Sequence, residues 1–294
     1  MRRLIDLAVV LFLVIQPAAT YPQTLDTPLP ADFCSSEACT RAKQHEARGE
    51  FAEAALAWEK AVPSKQTPGS DVWTQRVDLL VRAARAHAQA GHYERAGMTF
   101  WKASRSADTM SDFLAFLAAD NLTTAEIDDV ELLGQIAKTD AFERRFPGTA
   151  LVHARLLHLR DDELPPPGLA REALADSETQ FEACIWLSPL LAATPKSEAK
   201  KRHHTLSELV YGSCLPEETS PGFEHDPGHH ARVRRAGRWY GEVRFEEAHA
   251  QLEEVDFSKL EAGDRCDGRF LLGRTLYRLD RRADSLKQYS KVIE

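Results

Sequence analysis

The pattern of hydrophobic and polar positions is clearest in residues 79–103, LLVRAARAHAQAGHYERAGMTFWKA. Counted from a glycine, the offsets 0, 2, 5, 9 and 12 carry glycine, aromatic, small, aromatic and small residues: Gly91, Tyr93, Ala96, Phe100 and Ala103. This spacing keeps one face of an α-helix apolar. Gly91 can end the preceding helix without a Cβ penalty, and Ala84, seven residues earlier, is small enough to let two helices approach closely. The stretch therefore predicts two amphipathic helices folded back on each other.

The same offsets recur elsewhere in the chain, which indicates a repeated structural unit. An upstream copy consists of Gly49, Phe51, Ala54, Trp58 and Ala61. A third copy, with valine in the glycine position, consists of Val243, Phe245, Ala248, Leu252 and Val255. In the last copy Asp280 takes the glycine position, and Ser285, Tyr289 and Val292 follow at offsets 5, 9 and 12. Gly273 and Leu276 precede Asp280 in the first helix of this copy. Because the inner positions of all four copies are apolar or small, the pattern predicts helix pairs that pack through one face.

These copies resemble the tetratricopeptide repeat (TPR) over Thr40–Ser104 and Ala231–Glu294, since that repeat is a helical hairpin with this order of small and aromatic residues. The resemblance implies an all-α fold, a right-handed superhelix of antiparallel helical hairpins that is described as a TPR-like α-solenoid. A single hairpin cannot bury its apolar face alone and is covered by its neighbours. Because the chain stops directly after the last copy, we expect the array to continue beyond Glu294.

The middle of the chain predicts irregular helical hairpins. Thr123 and Glu126 have the spacing of a capping box, which predicts that a helix begins there. None of the apolar segments in this region alternates with the period of two that a strand requires. The expected organisation is a signal peptide at 1–20, a linker at 21–38, TPR-like hairpins at 39–108, degenerate hairpins at 109–195, a loop-rich connector at 196–230 and TPR-like hairpins at 231–294.

The N-terminus has the features of a secretory signal peptide. Arg2 and Arg3 precede a short apolar run, Leu7–Ile15, and small residues follow Pro17. Such a segment is removed during export, and the run is shorter than the roughly 20 apolar residues that span a bilayer. We therefore expect an exported bacterial protein of the periplasm, with no stable membrane span after cleavage. A retained membrane anchor is the alternative.

Charge and cysteine content narrow the choice of partners and compartment. The chain has 37 basic and 45 acidic side chains, a net charge of −8, which argues against nucleic acid because phosphate neutralisation needs a basic surface. Five cysteines in an exported chain favour disulfides and leave at least one thiol without a partner in the chain. Cys34 and Cys39 are close enough in sequence to pair, and Cys184 and Cys214 could meet on neighbouring helices. Buried free thiols are the alternative.

No motif in the sequence points to catalysis or to a cofactor. The chain lacks the phosphate-binding loop, the dinucleotide-binding glycine pattern, H-E-x-x-H and G-x-S-x-G. His225, His229 and His230 lie in a loop with two carboxylates and are weak candidates for zinc or copper ligands, with a polar surface loop as the alternative. Trp73 and Trp101 are candidates for a concave binding surface.

A narrower resemblance concerns the C-terminal stretch RFEEAHAQLEEVDFSKLEAGDRCDGRFLLGRTLYRLDRRADSLKQYSKVIE. In an exported helical array, this stretch looks like the superhelical N-terminal region of soluble lytic murein transglycosylases. That region is non-catalytic and precedes a lysozyme-like domain that cleaves peptidoglycan. The signature of that domain, a Glu-Ser pair followed by G-L-M-Q, is absent, so no catalytic residue is carried over. The sequence predicts a scaffold that binds a protein or peptidoglycan, either as part of such an enzyme or as a stand-alone adaptor.

Overall fold

The computed structural model describes residues 36–63, 71–107, 109–143, 146–194, 200–223 and 227–293, except for the side chains of 71–74 and 293. The predicted signal peptide and most of the predicted linker lie outside these ranges. No strand occurs in the described ranges, and the all-α prediction is confirmed for them. The helices are α1 (Glu37–Ala47), α2 (Phe51–Ala61), α3 (Asp71–Gln89), α4 (Tyr93–Ser104), α5 (Ser111–Thr124), α6 (Val130–Ala137), α7 (Thr149–Asp161), α8 (Pro167–Ala175), α9 (Gln180–Ala193), α10 (Lys200–Ser213), α11 (His229–Gly241), α12 (Phe245–Glu253), α13 (Ala262–Arg278) and α14 (Arg282–Ile293).

The helices pack in the order in which they occur along the chain. Each described helix contacts mainly the helix next to it or next but one. The buried side chains accordingly form four clusters in chain order, within α1–α3, α3–α7, α7–α10 and α11–α13. This sequential packing is compatible with a helical repeat solenoid, in which each unit covers the apolar face of its neighbour. None of the described helices combines the length and the apolar composition needed to cross a membrane.

The residues at offset zero of the four copies all adopt a left-handed backbone conformation. The φ angle is 74° at Gly49, 76° at Gly91, 63° at Val243 and 58° at Asp280. In each turn the amide of the following residue donates to the carbonyl oxygen five residues before it, at 2.8–2.9 Å. This hydrogen bond defines a Schellman motif, which ends α1, α3, α11 and α13. The sequence spacing therefore locates the turn between the two helices of each pair.

Small residues lie where the two helices of each pair meet. The residue seven positions before the turn is small and buried in all four copies: Ala42, Ala84, Ala236 and Gly273. The residue five positions after it is also small and buried: Ala54, Ala96, Ala248 and Ser285. In the last pair a Cβ atom at Gly273 would lie 2.6 Å from a ring carbon of Tyr289. A larger residue at this position would therefore displace the half-buried Tyr289 side chain.

Val243 should be the weakest of these turns, because a β-branched residue is strained at positive φ. Its side chain is 69% exposed, so little packing is lost when it is removed. We expect Val243→Gly to raise the free energy of unfolding by about 0.5–1 kcal/mol, as measured by urea denaturation. The reverse change at an equivalent turn, Gly91→Val, should lower it by about 1–2 kcal/mol. Destabilisation by Val243→Gly would contradict this account of the turn.

The prediction that a helix begins at Thr123 is wrong. Thr123 lies inside α5, and its hydroxyl donates to the carbonyl oxygen of Asp120 at 3.1 Å. Glu126 has a φ of 52° and lies in the turn that follows α5. The next helix, α6, is instead capped by Asp129, whose carboxylate accepts from the amide of Leu132 at 2.9 Å. Since α5 is buried around most of its circumference, tertiary packing extends it through the local start signal.

Candidate functional site

Of the two tryptophans predicted to line a binding surface, Trp101 has its side chain in the described part of the structure. The side chain of Trp73 lies outside the described part of the structure. Trp101 is half-buried and packs against the α3–α7 core cluster, which also contains its neighbour Phe100. Trp101 therefore contributes to the packing of α4 more than to an open surface.

Two of the three histidines proposed as metal ligands contact residues that follow α12 in the chain. His225 lies outside the described residues. His229 Nδ1 accepts from the backbone amide of Asp256 at 3.1 Å, and His230 Nε2 lies 3.4 Å from Asp264 Oδ1. Within the described ranges, the group of metal-capable side chains that converges is Cys184, Cys214 and Glu218. The two sulfur atoms of that group are joined in a disulfide, so they are not available as thiolate ligands.

Among the described residues, Cys39, Cys184 and Cys214 are disulfide-bonded and Cys266 is free. Cys184 in α9 and Cys214, directly after α10, form a disulfide with a Cα–Cα distance of 5.7 Å. Cys39 is fully buried and disulfide-bonded, and Cys34, its predicted partner, lies outside the described residues. Cys266 is a free, exposed cysteine on α13.

Arginine and aromatic side chains of α11–α13 are grouped on one surface of the described chain. On α13, Arg274 and Arg278 follow Phe270 at intervals of four residues, and Tyr277 comes three residues after Arg274. These spacings place the four side chains on one side of that helix. This side differs from the one that buries Leu272 and Leu276 in the α11–α13 cluster. We call the surface the arginine–aromatic face, and its members are Tyr240, Phe245, Phe270, Arg274, Tyr277 and Arg278.

The two arginines of this face lie over aromatic rings. The Cζ atom of Arg274 is 4.8 Å from the ring centroid of Tyr240 and 5.9 Å from that of Phe270. The Cζ atom of Arg278 is 5.9 Å from the ring centroid of Phe245, and the rings of Phe245 and Tyr240 are 5.2 Å apart. Cation–π contacts at these distances are attractive but modest when exposed to solvent. They hold the guanidinium groups against the face, although both arginine residues are exposed to solvent.

Electrostatic interactions in the face centre on the Tyr240 hydroxyl. Burial raises the pKa of Tyr240, but hydrogen bonds and positive charge from Arg278 and Arg274 outweigh burial and lower the pKa overall. The hydrogen bond to Tyr240 and its electrostatic attraction in turn raise the pKa of Arg278. The phenol oxygen therefore lies in a positive potential created by two guanidinium groups.

Three arginines on α11 and in the turn after it are paired with carboxylates. Arg238 contacts Glu218 at 2.8 Å and Glu242 at 3.0 Å. Arg244 is paired with Glu247 and Glu217, and Arg232 with Glu254. Within the described ranges, neither Arg274 nor Arg278 forms an ion pair with a carboxylate. An anionic group brought by a ligand could therefore bind them without displacing an internal partner.

A buried arginine fixes the helices beneath the face. The Cζ atom of Arg235 lies 3.4 Å from the ring centroid of Tyr211, and its Nε donates to the Tyr211 carbonyl oxygen at 2.7 Å. Burial lowers the pKa of Arg235, and interactions with Tyr211 and Glu217 partly offset that effect. The Tyr211 hydroxyl donates to Gln251 on α12 at 2.9 Å. These contacts join α10, α11 and α12, and thereby position Tyr240 and Phe245.

Comparison with known proteins assigns the chain to no family. No protein-family model matches the sequence, and no curated protein matches it significantly. The resemblance to the tetratricopeptide repeat therefore depends on the residue offsets and on the four equivalent turns.

The sequence-based reasoning missed the arginine–aromatic face. It assigned Phe245 to a repeat copy and gave the other members of the face no role. The spacing of Phe270, Arg274 and Arg278 at intervals of four residues is visible in the sequence and could have indicated a shared surface. The contribution of Tyr240 and Phe245 could not be read in this way, because they lie on α11 and α12.

Proposed function

We propose that the chain is an exported, TPR-like scaffold that binds a protein partner in the bacterial periplasm through the arginine–aromatic face. In this proposal the helix pairs stack as antiparallel hairpins in a right-handed superhelix. The equivalent turns at Gly49, Gly91, Val243 and Asp280 support such a stack, as does the sequential packing of the helices. The chain acts by binding and positioning rather than by catalysis.

The observation that carries the binding role is the exposed, unneutralised pair Arg274 and Arg278 beside exposed aromatic rings. Phe270 is 50% exposed and Tyr277 is 58% exposed. Large aromatic residues and arginines are the side chains enriched in the energetically important parts of protein interfaces. Their grouping on one side of a helix therefore favours an interaction surface over a random distribution of exposed residues.

Two features support export. The N-terminal sequence has the order of a charged start, an apolar run and small residues that signal peptides share. The disulfide between Cys184 and Cys214 is of a kind that persists mainly in oxidising compartments. Cell fractionation of a bacterium expressing the full chain should place the mature protein in the periplasm. Retention of the uncleaved chain in the cytoplasm would contradict this part of the proposal.

Photo-crosslinking in living cells tests the binding role directly. A photoreactive amino acid is placed at Phe270 or Tyr277, and as a control at Leu56, which is 53% exposed on α2. We expect a discrete protein adduct from the two positions on the face and none from the control. Equal adducts from all three positions, or none from any, would contradict the proposal. Sedimentation of the purified chain with peptidoglycan sacculi, in the absence of protein adducts, would favour cell-wall binding instead.

The relation to lytic murein transglycosylases has its own test. If the chain is the non-catalytic part of such an enzyme, the DNA downstream of the codon for Glu294 encodes a lysozyme-like domain; a stand-alone adaptor has a stop codon there. For the chain itself we expect no release of anhydro-muropeptides from purified peptidoglycan. Release of these products would show that the chain is catalytic.

A further inference from the structure

We infer that the arginine–aromatic face binds an acidic side chain of an extended peptide segment, with its carboxylate between Arg274 and Arg278 and a neighbouring hydrophobic side chain against Phe270 and Tyr277. This inference rests on the proposed function, because it names the chemistry of the partner at that same face.

The placement of two like charges explains why a carboxylate is the expected group. Arg274 and Arg278 are four residues apart on α13, a spacing at which like charges repel and destabilise a helix. No carboxylate in the described residues relieves that repulsion, although carboxylates neutralise Arg238 and Arg244 nearby. A bound carboxylate would accept hydrogen bonds from both guanidinium groups, and charge-assisted bonds of this kind are the strong ones.

Tyr240 completes the site for the anion. The Cζ atom of Arg274 lies 4.8 Å from the Tyr240 ring centroid, and the positive charge of both arginines lowers the pKa of the phenol. A tyrosine hydroxyl can accept and donate at the same time, so its proton remains able to bond to an incoming carboxylate oxygen. The site thus offers donors from three side chains on two helices, α11 and α13.

The exposed rings define the second half of the ligand. Phe270 is one helical turn before Arg274, and Tyr277 lies between the two arginines in sequence. Both rings expose about half of their surface. The ligand would carry a carboxylate and a hydrophobic side chain within a few residues of each other. The hydrophobic side chain would cover both rings, and the two arginines would neutralise the carboxylate. This combination is available in a peptide that carries glutamate or aspartate beside leucine or phenylalanine.

Single-stranded nucleic acid also combines negative charge with groups that stack on aromatic rings. Its binding requires a positive groove that follows several phosphates. The face offers two unneutralised arginines in a chain with a net charge of −8, which is too little positive charge to track a phosphate backbone. The charge pattern therefore favours the acidic peptide.

A pair of peptide pools tests the inference. Both pools contain eight-residue peptides with capped ends and random hydrophobic positions; one carries two glutamates per peptide and the other carries glutamine in their place. Retention on the immobilised mature chain is measured by mass spectrometry at roughly 0.15 M salt, close to physiological ionic strength. We expect members of the glutamate pool to be retained at least about ten-fold better than their glutamine counterparts.

Matched variants locate the binding. Arg274→Gln/Arg278→Gln should reduce retention of the best glutamate peptide by about ten-fold or more. The control, Arg48→Gln/Arg282→Gln, removes the same charge at exposed ion pairs outside the face and should change retention by less than about two-fold. Phe270→Ala should also weaken retention. Its melting temperature is measured in parallel, because the Phe270 ring packs against Tyr289 with the ring centroids 5.7 Å apart.

Several outcomes would overturn the inference. These are equal retention or no retention of the two pools, equal effects of the two double variants, or tighter binding of an oligothymidine probe. If photo-adducts at Phe270 and Tyr277 persist in Arg274→Gln/Arg278→Gln, the face still binds a protein but the carboxylate site is wrong. If no adduct forms in the unsubstituted chain, the proposed function itself fails.

Discussion

Replacing Trp58 with alanine is expected to lower the free energy of unfolding by about 3–5 kcal/mol. The indole is fully buried in the α1–α3 cluster. Its Nε1 donates to Glu46 Oε1 at 2.7 Å, and the guanidinium of Arg82 lies 5.6 Å from its ring centroid. The substitution removes the largest side chain of this cluster and leaves a cavity between three helices.

The measurement is urea denaturation followed by far-ultraviolet circular dichroism, since tryptophan fluorescence changes with the substitution. Leu56→Ala on the same helix is the control. Leu56 is on the exposed side of α2 and should change the free energy of unfolding by less than about 0.5 kcal/mol. Because each unit of a repeat array contacts only its neighbours, increased hydrogen exchange in Trp58→Ala should be greatest in α1–α3. Similar effects of the two substitutions would show that the register counted from Gly49 is incorrect.

Removing the disulfide between Cys184 and Cys214 should lower the free energy of unfolding by about 3–4 kcal/mol. The bond closes a loop with a sequence separation of 30 residues, and it joins α9 to α10 in the α7–α10 cluster. In the chain-entropy account, this crosslink stabilises the protein by restricting the unfolded chain. Cys184→Ala/Cys214→Ala keeps small apolar side chains at both buried positions, so the loss reports mainly the crosslink.

Cys266→Ala provides the control for the disulfide variant. Cys266 is an exposed free cysteine, and its substitution should leave the urea midpoint nearly unchanged. A dithiothreitol titration of the unsubstituted chain also reduces the disulfide of Cys39, so the comparison of variants is the cleaner measurement. A double variant as stable as the unsubstituted chain would mean that tertiary packing alone holds α9 and α10 together.

The C-terminal and N-terminal helix pairs differ in what they expose. The first pairs bury Trp58 and Phe100 in the core, whereas Tyr289 at the equivalent offset is half-buried. The last pairs also carry the arginine–aromatic face on the solvent side of α13. The arginine–aromatic face and the half-buried Tyr289 thus occur in the same part of the chain.

The sequence by itself determined the features that depend on short-range spacing. The offsets from Gly49 and Gly91 predicted where each helix ends, because the turn requires a residue that tolerates positive φ and small residues at fixed distances on either side. The same offsets located the turns at Val243 and Asp280, although neither is glycine. The all-helical character followed from the period of the apolar positions, which local chemistry is sufficient to set.

Only the tertiary structure decided the features that bring together residues from separate helices. Thr123 has the local sequence of a helix start, but it lies within α5. The packing of α5 against its neighbours keeps Thr123 helical, because burial of a whole helix outweighs one capping interaction. The pairing of Cys184 with Cys214 required α9 and α10 to be adjacent. The arginine–aromatic face required Tyr240 to lie beneath Arg274 and Arg278. A periodic pattern specifies which side of each helix is apolar, but it does not specify which helix lies opposite the polar side.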